Sequence, residues 1–166
     1  MDLSATRIGL LQGMPVFGAL REESLALLLA RAHLVAVPAG GYFFRERDSA
    51  DSMYVLEVGR VDVIKTWEGG EFILHRLEAG DCFGEMALMD LLPRSASVRA
   101  DVDCSAIEVG AADLLRLFER DVEQFALIQM NIGREVCRRL RAADEMLFTA
   151  SMADGAPIPQ FLFRAA

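Results

Sequence analysis

The sequence has little of what metal or redox chemistry requires. It contains 2 histidines, His33 and His75, without HxH spacing, and 3 cysteines at positions 82, 104 and 137 that form no CxxC pair. Metal-binding jelly rolls need several such ligands around one ion, and an iron–sulfur cluster normally needs about four thiolates. We therefore expect structural histidines, reduced and mostly buried cysteines, and neither a metal nor an enzymatic activity.

Positive charge and long apolar runs are also scarce. Lys and Arg number 17 against 25 Asp and Glu, for a formal net charge of −8 at pH 7. This acidic balance repels polyanions, so we expect no nucleic-acid partner. No apolar run approaches the about 20 residues that span a bilayer, and the N-terminus lacks the pattern of a signal peptide. We expect a cytoplasmic protein that does not associate with membranes.

What the chain does have is a change of hydrophobic period along its length. Apolar residues recur at helical spacing from Pro15 to about His33, then in short pieces with turn residues between them, then at helical spacing again after Gly110. This order predicts an α+β, mainly β fold: a jelly roll, or double-stranded β-helix, with N-terminal helices and a long C-terminal helix. The expected divisions are an arm (1–14), a folded domain (15–150) with its jelly roll at about 34–109 and C-terminal helices at about 111–148, and a flexible or docked tail (151–166).

Three local patterns refine the β region. Gly59-Arg60 interrupts apolar alternation and predicts a hairpin, and Glu68-Gly69-Gly70-Glu71 predicts a second turn. Val98, Ala100 and Val102 alternate with polar residues, as in a half-buried strand. These patterns support many short strands joined by regular turns.

The long helix, expected from Asp121 to Phe148, carries one continuous apolar stripe. That stripe either packs on the chain's own β core or meets a partner helix, most simply the same helix of a second subunit. Arginines at 134, 138, 139 and 141 form a basic run, and Glu135–Arg139 and Arg141–Glu145 are i,i+4 pairs, which indicates a solvated, ion-paired face. The stripe comprises Phe125, Ile128, Ile132, Val136, Leu140, Ala143 and Leu147.

The stretch from Gly80 to Ala96 has the chemistry of a ligand site. Gly84 permits backbone angles closed to other residues and close approach of a ligand, and residues 85–88 can begin a helical turn whose first amides favour an anion. Arg94 follows the rigid Pro93 and offers a fork that matches two oxygens of a phosphodiester. Glu85 can accept from a sugar hydroxyl. Each feature alone has a simpler explanation, such as a Glu85–Arg94 surface pair or an ordinary turn glycine.

The order of the whole stretch resembles the phosphate-binding cassette of cyclic-nucleotide-binding domains, of the kind found in protein kinase A regulatory subunits and the catabolite activator protein. The family pattern of Phe-Gly-Glu, a small apolar turn and Pro-Arg-Ser-Ala is matched by residues 83–88 and 93–96. The resemblance extends from about Phe17 to Phe148 and includes the glycine at Gly59. One departure is Arg47, where many members have glycine.

The resemblance implies a role for each cassette residue. Glu85 is expected to bind the ribose 2′-hydroxyl, and Arg94 with the backbone of Met86 and Ala87 to bind the cyclic phosphate. Ser95 adds a hydroxyl near the phosphate or base. The remaining residues of the expected site are Phe83, Gly84, Ala96 and Asp144.

The purine depends on the C-terminal helix, which in this family closes over the base. Matching the Arg138-Arg139-Leu140 run to the family places Ala143 and Asp144 at the base. A carboxylate there could accept from adenine or, twice, from guanine, or it could pair in solvent with a neighbouring arginine. The Arg94-Ser95 pair resembles bacterial cAMP binders, so cAMP is expected before cGMP, with no other cofactor.

The expected output is a movement of the long helix on ligand binding that alters a dimer interface or the surface for a protein effector. The family's bacterial regulators continue into a DNA-binding domain, and the sequence after Phe148 is too short for one. Two alternatives are a jelly-roll metalloenzyme, for which the histidines are too few, and a ligand-free interaction module of the same fold.

Overall fold

The computed structural model describes residues 8, 9 and 11–154 of the chain. A 3₁₀ turn at Pro15–Phe17 and helix α1 precede the strands, a short helix α2 interrupts them, and helices α3 and α4 follow. The helices are α1 (Glu22–Leu29), α2 (Met86–Asp90), α3 (Ala111–Arg120) and α4 (Val122–Asp154), and the strands are β1 (His33–Val37), β2 (Tyr42–Phe44), β3 (Ser52–Val58), β4 (Arg60–Trp67), β5 (Gly70–Glu78), β6 (Cys82–Phe83), β7 (Ser97–Ala100) and β8 (Cys104–Gly110). The expected mainly β fold with flanking helices is confirmed.

The strands form two antiparallel four-stranded sheets, of order β1-β8-β3-β6 and β2-β7-β4-β5. Because side chains alternate across a strand, the first sheet contributes to two cores. Met53 and Val55 of β3 pack with the helices, whereas Tyr54 and Leu56 of the same strand pack between the sheets. The cassette lies at the end of the sandwich interior where β3 presents polar residues.

The two predicted turns have different outcomes. Glu68 and Gly69 both have positive φ (49° and 79°) and join the paired strands β4 and β5, as a tight hairpin turn requires. The hairpin predicted at Gly59 is wrong, because β3 and β4 belong to different sheets and the chain crosses between them there. Glycine is required at position 59 for another reason: a Cβ would lie 2.5 Å from Sγ of Cys104.

Two further element boundaries differ from those that the hydrophobic periodicity predicts. The alternating strand ends at Ala100, and Val102 lies beyond it with an exposed side chain. The N-terminal apolar segment is divided between the 3₁₀ turn and α1, because Gly18-Ala19 breaks the helix and Ala19 has a φ of 61°. Of the expected arm, residues 1–7 and 10 lie outside the described residues, and Leu11 is buried in the helical core.

The chain divides into two compact units, residues 1–132 and 133–166. In the first, Ile128 and Ile132 of α4 are buried in the helical core, and the Asn131 amide donates to the backbone oxygens of Val16 and Gly18 (3.3 and 2.9 Å). This part of the predicted apolar stripe therefore packs within its own unit.

In the second unit, α4 continues past Phe148 to Asp154, so residues 151–154 of the expected tail are helical. Residues 155–166 lie outside the described residues. Leu140 is exposed, and Glu135 forms an ion pair with Arg138. No helix in the described part of the chain is both long and apolar enough to cross a membrane.

Candidate functional site

The cassette residues connect the two sheets. β6 pairs with β3 of the first sheet and leads through Gly84 into α2, and the chain then enters β7 of the second sheet. The entry to the cassette is fixed by the Gly80 amide, which donates to Leu56 O (2.8 Å), and by the Leu56 amide, which donates to Asp81 O (2.9 Å). These bonds anchor the start of the cassette, and the pairing of β7 with β4 anchors its end.

A turn at residues 45–48 holds the backbone of Arg94. The Arg94 amide donates to Asp48 O (2.9 Å), and the Arg47 amide donates to Arg94 O (2.8 Å). The turn itself is closed by the Asp48 carboxylate, which accepts from the Arg45 amide (2.7 Å). Arg47 has a φ of 72°, which explains why glycine suits this position in related sequences.

The Arg94 side chain is buried, with 5% of its surface exposed. Its Nη1 donates to two backbone oxygens, of Ser52 (2.7 Å) and of Gly84 (2.9 Å), and its Nη2 donates to Ser52 Oγ (3.3 Å). Nε is buried and makes no hydrogen bond to the described part of the chain. The guanidinium is thus held at its far end by the protein, while its Nε side makes no protein hydrogen bond.

Gly84 allows this arrangement in two ways. Its φ is 78°, and a Cβ at this position would lie 2.5 Å from Arg94 Nη1 and 3.2 Å from a ring carbon of Phe44. A side chain would therefore be strained by the backbone and would also displace the guanidinium. The left-handed backbone predicted for Gly84 is confirmed, and its close neighbour is Arg94. The approach of a ligand to this glycine stays a prediction.

A hydroxyl and carboxylate network lies behind the far end of Arg94. Glu108 on β8 accepts from Ser52 Oγ (2.8 Å) and from Tyr54 Oη (2.9 Å). Ser52 and Tyr54 occupy alternate positions of β3, so both face the sandwich interior, and Tyr54 is directly opposite Glu108 across the strand pair. Sequence reasoning missed these three residues, although a polar Ser52 and an acidic Glu108 within apolar strands were available signals.

Aromatic rings line the same end of the interior. The Arg94 guanidinium carbon lies 4.0 Å from the ring centroid of Phe44, a cation–π contact. Phe83, predicted as a site residue, stacks on Tyr54 with centroids 5.3 Å apart. The Phe44 ring therefore gives the charged side chain an apolar contact face.

Burial and charge oppose each other at this site. Burial lowers the pKa of the Arg94 guanidinium from its usual range, while Tyr54, Glu108 and nearby aspartates act to raise it. Burial likewise raises the pKa of the Tyr54 phenol above its ordinary value. Guanidinium groups remain protonated in proteins, so Arg94 presents a partly desolvated positive charge, which strengthens its attraction for an anion.

The other expected cassette residues lie around Arg94. Glu85 is buried and precedes α2, where its carbonyl accepts from the amides of Leu88 (3.1 Å) and Met89 (3.2 Å). The amides of Met86 and Ala87 therefore come before the first bonded amide of the helix. The remaining two residues are the exposed Ser95, whose hydroxyl lies 3.8 Å from Met86 Sδ, and Ala96, which is buried in the sandwich core.

A lysine on β4 links the cassette to the turn at residues 45–48. Lys65 Nζ donates to Ser95 O and to a Glu46 oxygen, both at 2.7 Å. This hydrogen bond is the main reason that the pKa of Glu46 lies below its ordinary value. Sequence reasoning did not identify Lys65, because its partners lie far from it along the chain.

Asp144, the expected base contact, lies on α4 in the second unit, where its side chain is exposed. Its role at the site stays a prediction. Among the described residues, no group of three or more His, Cys, Asp or Glu side chains is arranged to hold a metal ion.

The fold and this cassette define a class of small antiparallel sandwich in which a glycine-led loop holds one buried arginine. The family model for the cyclic nucleotide-binding domain matches residues 34–121, and the chain belongs to that family. The cyclic AMP receptor protein of Thermus thermophilus is 33% identical over 139 residues, covering 81% of this chain and 61% of that protein. A cAMP-dependent protein kinase regulatory subunit of Emericella nidulans is 34% identical over 107 residues, covering 64% and 26%.

Solved structures agree with this assignment. The crystal structure of the Thermus thermophilus catabolite activator protein superposes with a TM-score of 0.70 at 33% identity, covering 82% of this chain and 63% of that one. The chain thus spans 61% of the receptor protein and 26% of the kinase subunit. The expectations that it is not an enzyme and does not bind nucleic acid stay predictions.

Proposed function

We propose that the cassette binds a cyclic nucleotide, cAMP in preference to cGMP, and that the chain acts as a sensor of this ligand. Family membership supports a cyclic nucleotide as the ligand class, and the relatives described above carry cAMP in their names. The site residues proposed are those of the cassette, with Arg94 at the centre.

The observation that carries this proposal is the unused side of the Arg94 guanidinium. Nη1 and one N–H of Nη2 are committed to Ser52 and Gly84. The N–H of Nε and the second N–H of Nη2 lie on the same edge of the planar group, and such an edge binds two oxygens of a phosphate at once. A buried Nε without a protein acceptor costs free energy unless a ligand supplies one.

The other cassette residues complete the ligand contacts in this proposal. Glu85 accepts from the ribose 2′-hydroxyl, and the leading amides of α2, at Met86 and Ala87, donate to the phosphate. Ser95, exposed beside Met86, contacts the phosphate or base. Gly84 gives the backbone room, whereas Phe83 and Ala96 shape the site through the core in which both are buried.

The choice of purine is assigned to Ser95 and Asp144. The exposed Asp144 carboxylate can accept one hydrogen bond from the adenine amino group or two from guanine. Replacing Asp144 by Asn removes the charge and one pure acceptor, so the ratio of cAMP to cGMP affinity should change if this residue meets the base.

The output proposed is a ligand-dependent movement of α4. A ligand shifts such an equilibrium only by its different affinities for the two states. The exposed Leu140, Met146 and Phe148 of α4 are the surface through which a second copy or a protein effector would respond. Sedimentation of the chain with and without cAMP should then reveal a ligand-dependent change of assembly.

Calorimetric titration with cAMP and cGMP tests the binding proposal, with Arg94→Lys as the informative variant. Lysine keeps the charge and loses the planar fork, so loss of a charge-assisted hydrogen bond should weaken cAMP binding by about 10-fold or more. Arg99→Lys makes the same chemical change on β7, where Arg99 pairs with Glu71, and should bind as wild type does.

Binding of either nucleotide that Arg94→Lys weakens and Arg99→Lys preserves would support the sensor. No binding of either nucleotide to the folded wild-type chain would refute it. The fold would then serve the alternative function, an interaction module that responds to no nucleotide.

A further inference from the structure

The orientation of the Arg94 guanidinium is decided by Ser52 more than by any other residue. Ser52 accepts from Nη1 through its carbonyl (2.7 Å) and from Nη2 through its hydroxyl (3.3 Å). Two acceptors on one residue fix both the position and the plane of the far end of the guanidinium. The edge that carries Nε is left without a hydrogen bond to the described part of the chain.

The Ser52 hydroxyl can accept from Arg94 only if its own proton points elsewhere. A hydroxyl has one proton and two lone pairs, and the Glu108 carboxylate takes that proton at 2.8 Å. Tyr54 also donates to Glu108 (2.9 Å), so the protons of both hydroxyls converge on the same carboxylate oxygen. Glu108 therefore sets the direction of the Ser52 hydroxyl.

Ser52 and Tyr54 are buried, Glu108 is half-buried, and the three come together from distant parts of the chain. Ser52 is 5% exposed and Tyr54 8%, and Glu108 lies on β8, which pairs with β3. A carboxylate placed beside the sandwich interior is costly unless its hydrogen bonds are made. Here they are made to two hydroxyls, one of which also contacts the arginine of the site.

We propose that Ser52 and Glu108 are positioning residues for the cyclic phosphate: Glu108 orients the Ser52 hydroxyl, and Ser52 aims the free edge of Arg94 at the ligand. The inference rests on the proposed function, because it concerns how the same site selects its ligand. Its consequence is stereochemical. The two exocyclic oxygens of a cyclic phosphate point in different directions, so a guanidinium held in one orientation contacts them unequally.

The test uses the two phosphorothioate diastereomers of cAMP, in which sulfur replaces one exocyclic oxygen or the other. Both carry the same net charge, so the ratio of their affinities cancels the general electrostatic effect of removing Glu108. The wild-type chain should bind them with clearly different affinities. Ser52→Ala should move this ratio towards one by about fivefold, as expected for one hydrogen bond, and Ser52→Thr should restore it.

Glu108→Ala should reproduce the effect of Ser52→Ala on the ratio, because it acts through the Ser52 hydroxyl. The double variant should then change the ratio no more than Ser52→Ala alone, which is the signature of coupled residues. Ser24→Ala is the matched control, since Ser24 is a similarly buried serine on α1. Thermal unfolding of every variant reports whether the fold is retained.

The outcomes separate this inference from the proposed function. A wild-type chain that binds neither nucleotide contradicts both. Normal cAMP binding with an unchanged diastereomer ratio in Ser52→Ala, or with additive effects of Ser52 and Glu108, overturns the positioning role and leaves the sensor intact. If Ser52→Thr does not fold, Ser52→Ala compared with Ser24→Ala still decides the question.

Discussion

Replacing Gly84 by alanine should disable the site through one methyl group. Gly84 has a φ of 78°, and its added Cβ would lie 2.5 Å from Arg94 Nη1. Contacts between heavy atoms are favourable at about 3.5–4.0 Å, so the guanidinium must retreat by about 1 Å. Gly69 provides the control, because its φ is 79° and its Cβ would meet nothing within 4 Å.

The expected loss of unfolding free energy has two parts, a backbone cost and a lost hydrogen bond. The left-handed backbone costs an alanine about 1–2 kcal/mol, partly offset by a gain of about 0.4–1 kcal/mol from the stiffer unfolded chain. Gly69→Ala should show only this net loss of about 1 kcal/mol. Gly84→Ala should also lose the hydrogen bond from Nη1 to the Gly84 oxygen, which is worth about 1.5–3 kcal/mol because the donor is charged.

Thermal unfolding and cAMP titration of the two variants check this reasoning. Gly69→Ala should lower the melting temperature by roughly 2–4 °C and leave cAMP affinity unchanged. Gly84→Ala should melt lower still and bind cAMP about 10- to 100-fold more weakly. Equal affinities and equal melting temperatures for the two variants would refute the close approach of Gly84 and Arg94.

Three further predictions concern the surroundings of the site. Arg47→Gly should raise the free energy of unfolding by about 0.5–1 kcal/mol, because a φ of 72° strains arginine; an unchanged or lower melting temperature would contradict it. Lys65→Met should lower the melting temperature at pH 7, because it removes the partner that lowers the pKa of Glu46 below its ordinary value of 4.5. The ion pair stabilises the fold above pH 4.5 and is lost as Glu46 is protonated at lower pH, so the difference from wild type should shrink below pH 4.5. A difference that does not depend on pH would argue against the pair. Asn131→Ala should lower the free energy of unfolding, measured with denaturant, by about 1–3 kcal/mol, because two backbone oxygens lose their amide donor. An unchanged free energy of unfolding would show that water replaces the amide.

The cassette was predictable because its chemistry is local. Gly84, Glu85 and Arg94 lie within one short stretch of chain, and their order and spacing are visible without any knowledge of the fold. The hairpin turn at Glu68-Gly69 was predictable for the same reason, since the left-handed backbone of both residues is a property of the turn itself. Structure that depends on residues close together in the chain can therefore be predicted from the sequence.

The crossing at Gly59 was misread because the same local signal serves two purposes. A glycine between two alternating segments fits a hairpin, and here it allows close packing against Cys104 instead. Which strands pair depends on β8 lying between β1 and β3 in the first sheet. Apolar alternation identifies the buried face of a strand and carries no information about its neighbours.

By itself, the sequence determined the type of fold, the cassette and the arginine at its centre, because periodicity and short-range order follow from local geometry. Only the tertiary structure decided how that arginine is used. Ser52 reaches it across 42 residues of sequence, and Glu108 reaches Ser52 across 56, through strand pairing that no local pattern specifies. The direction of the free guanidinium edge is therefore a property of the assembled sandwich.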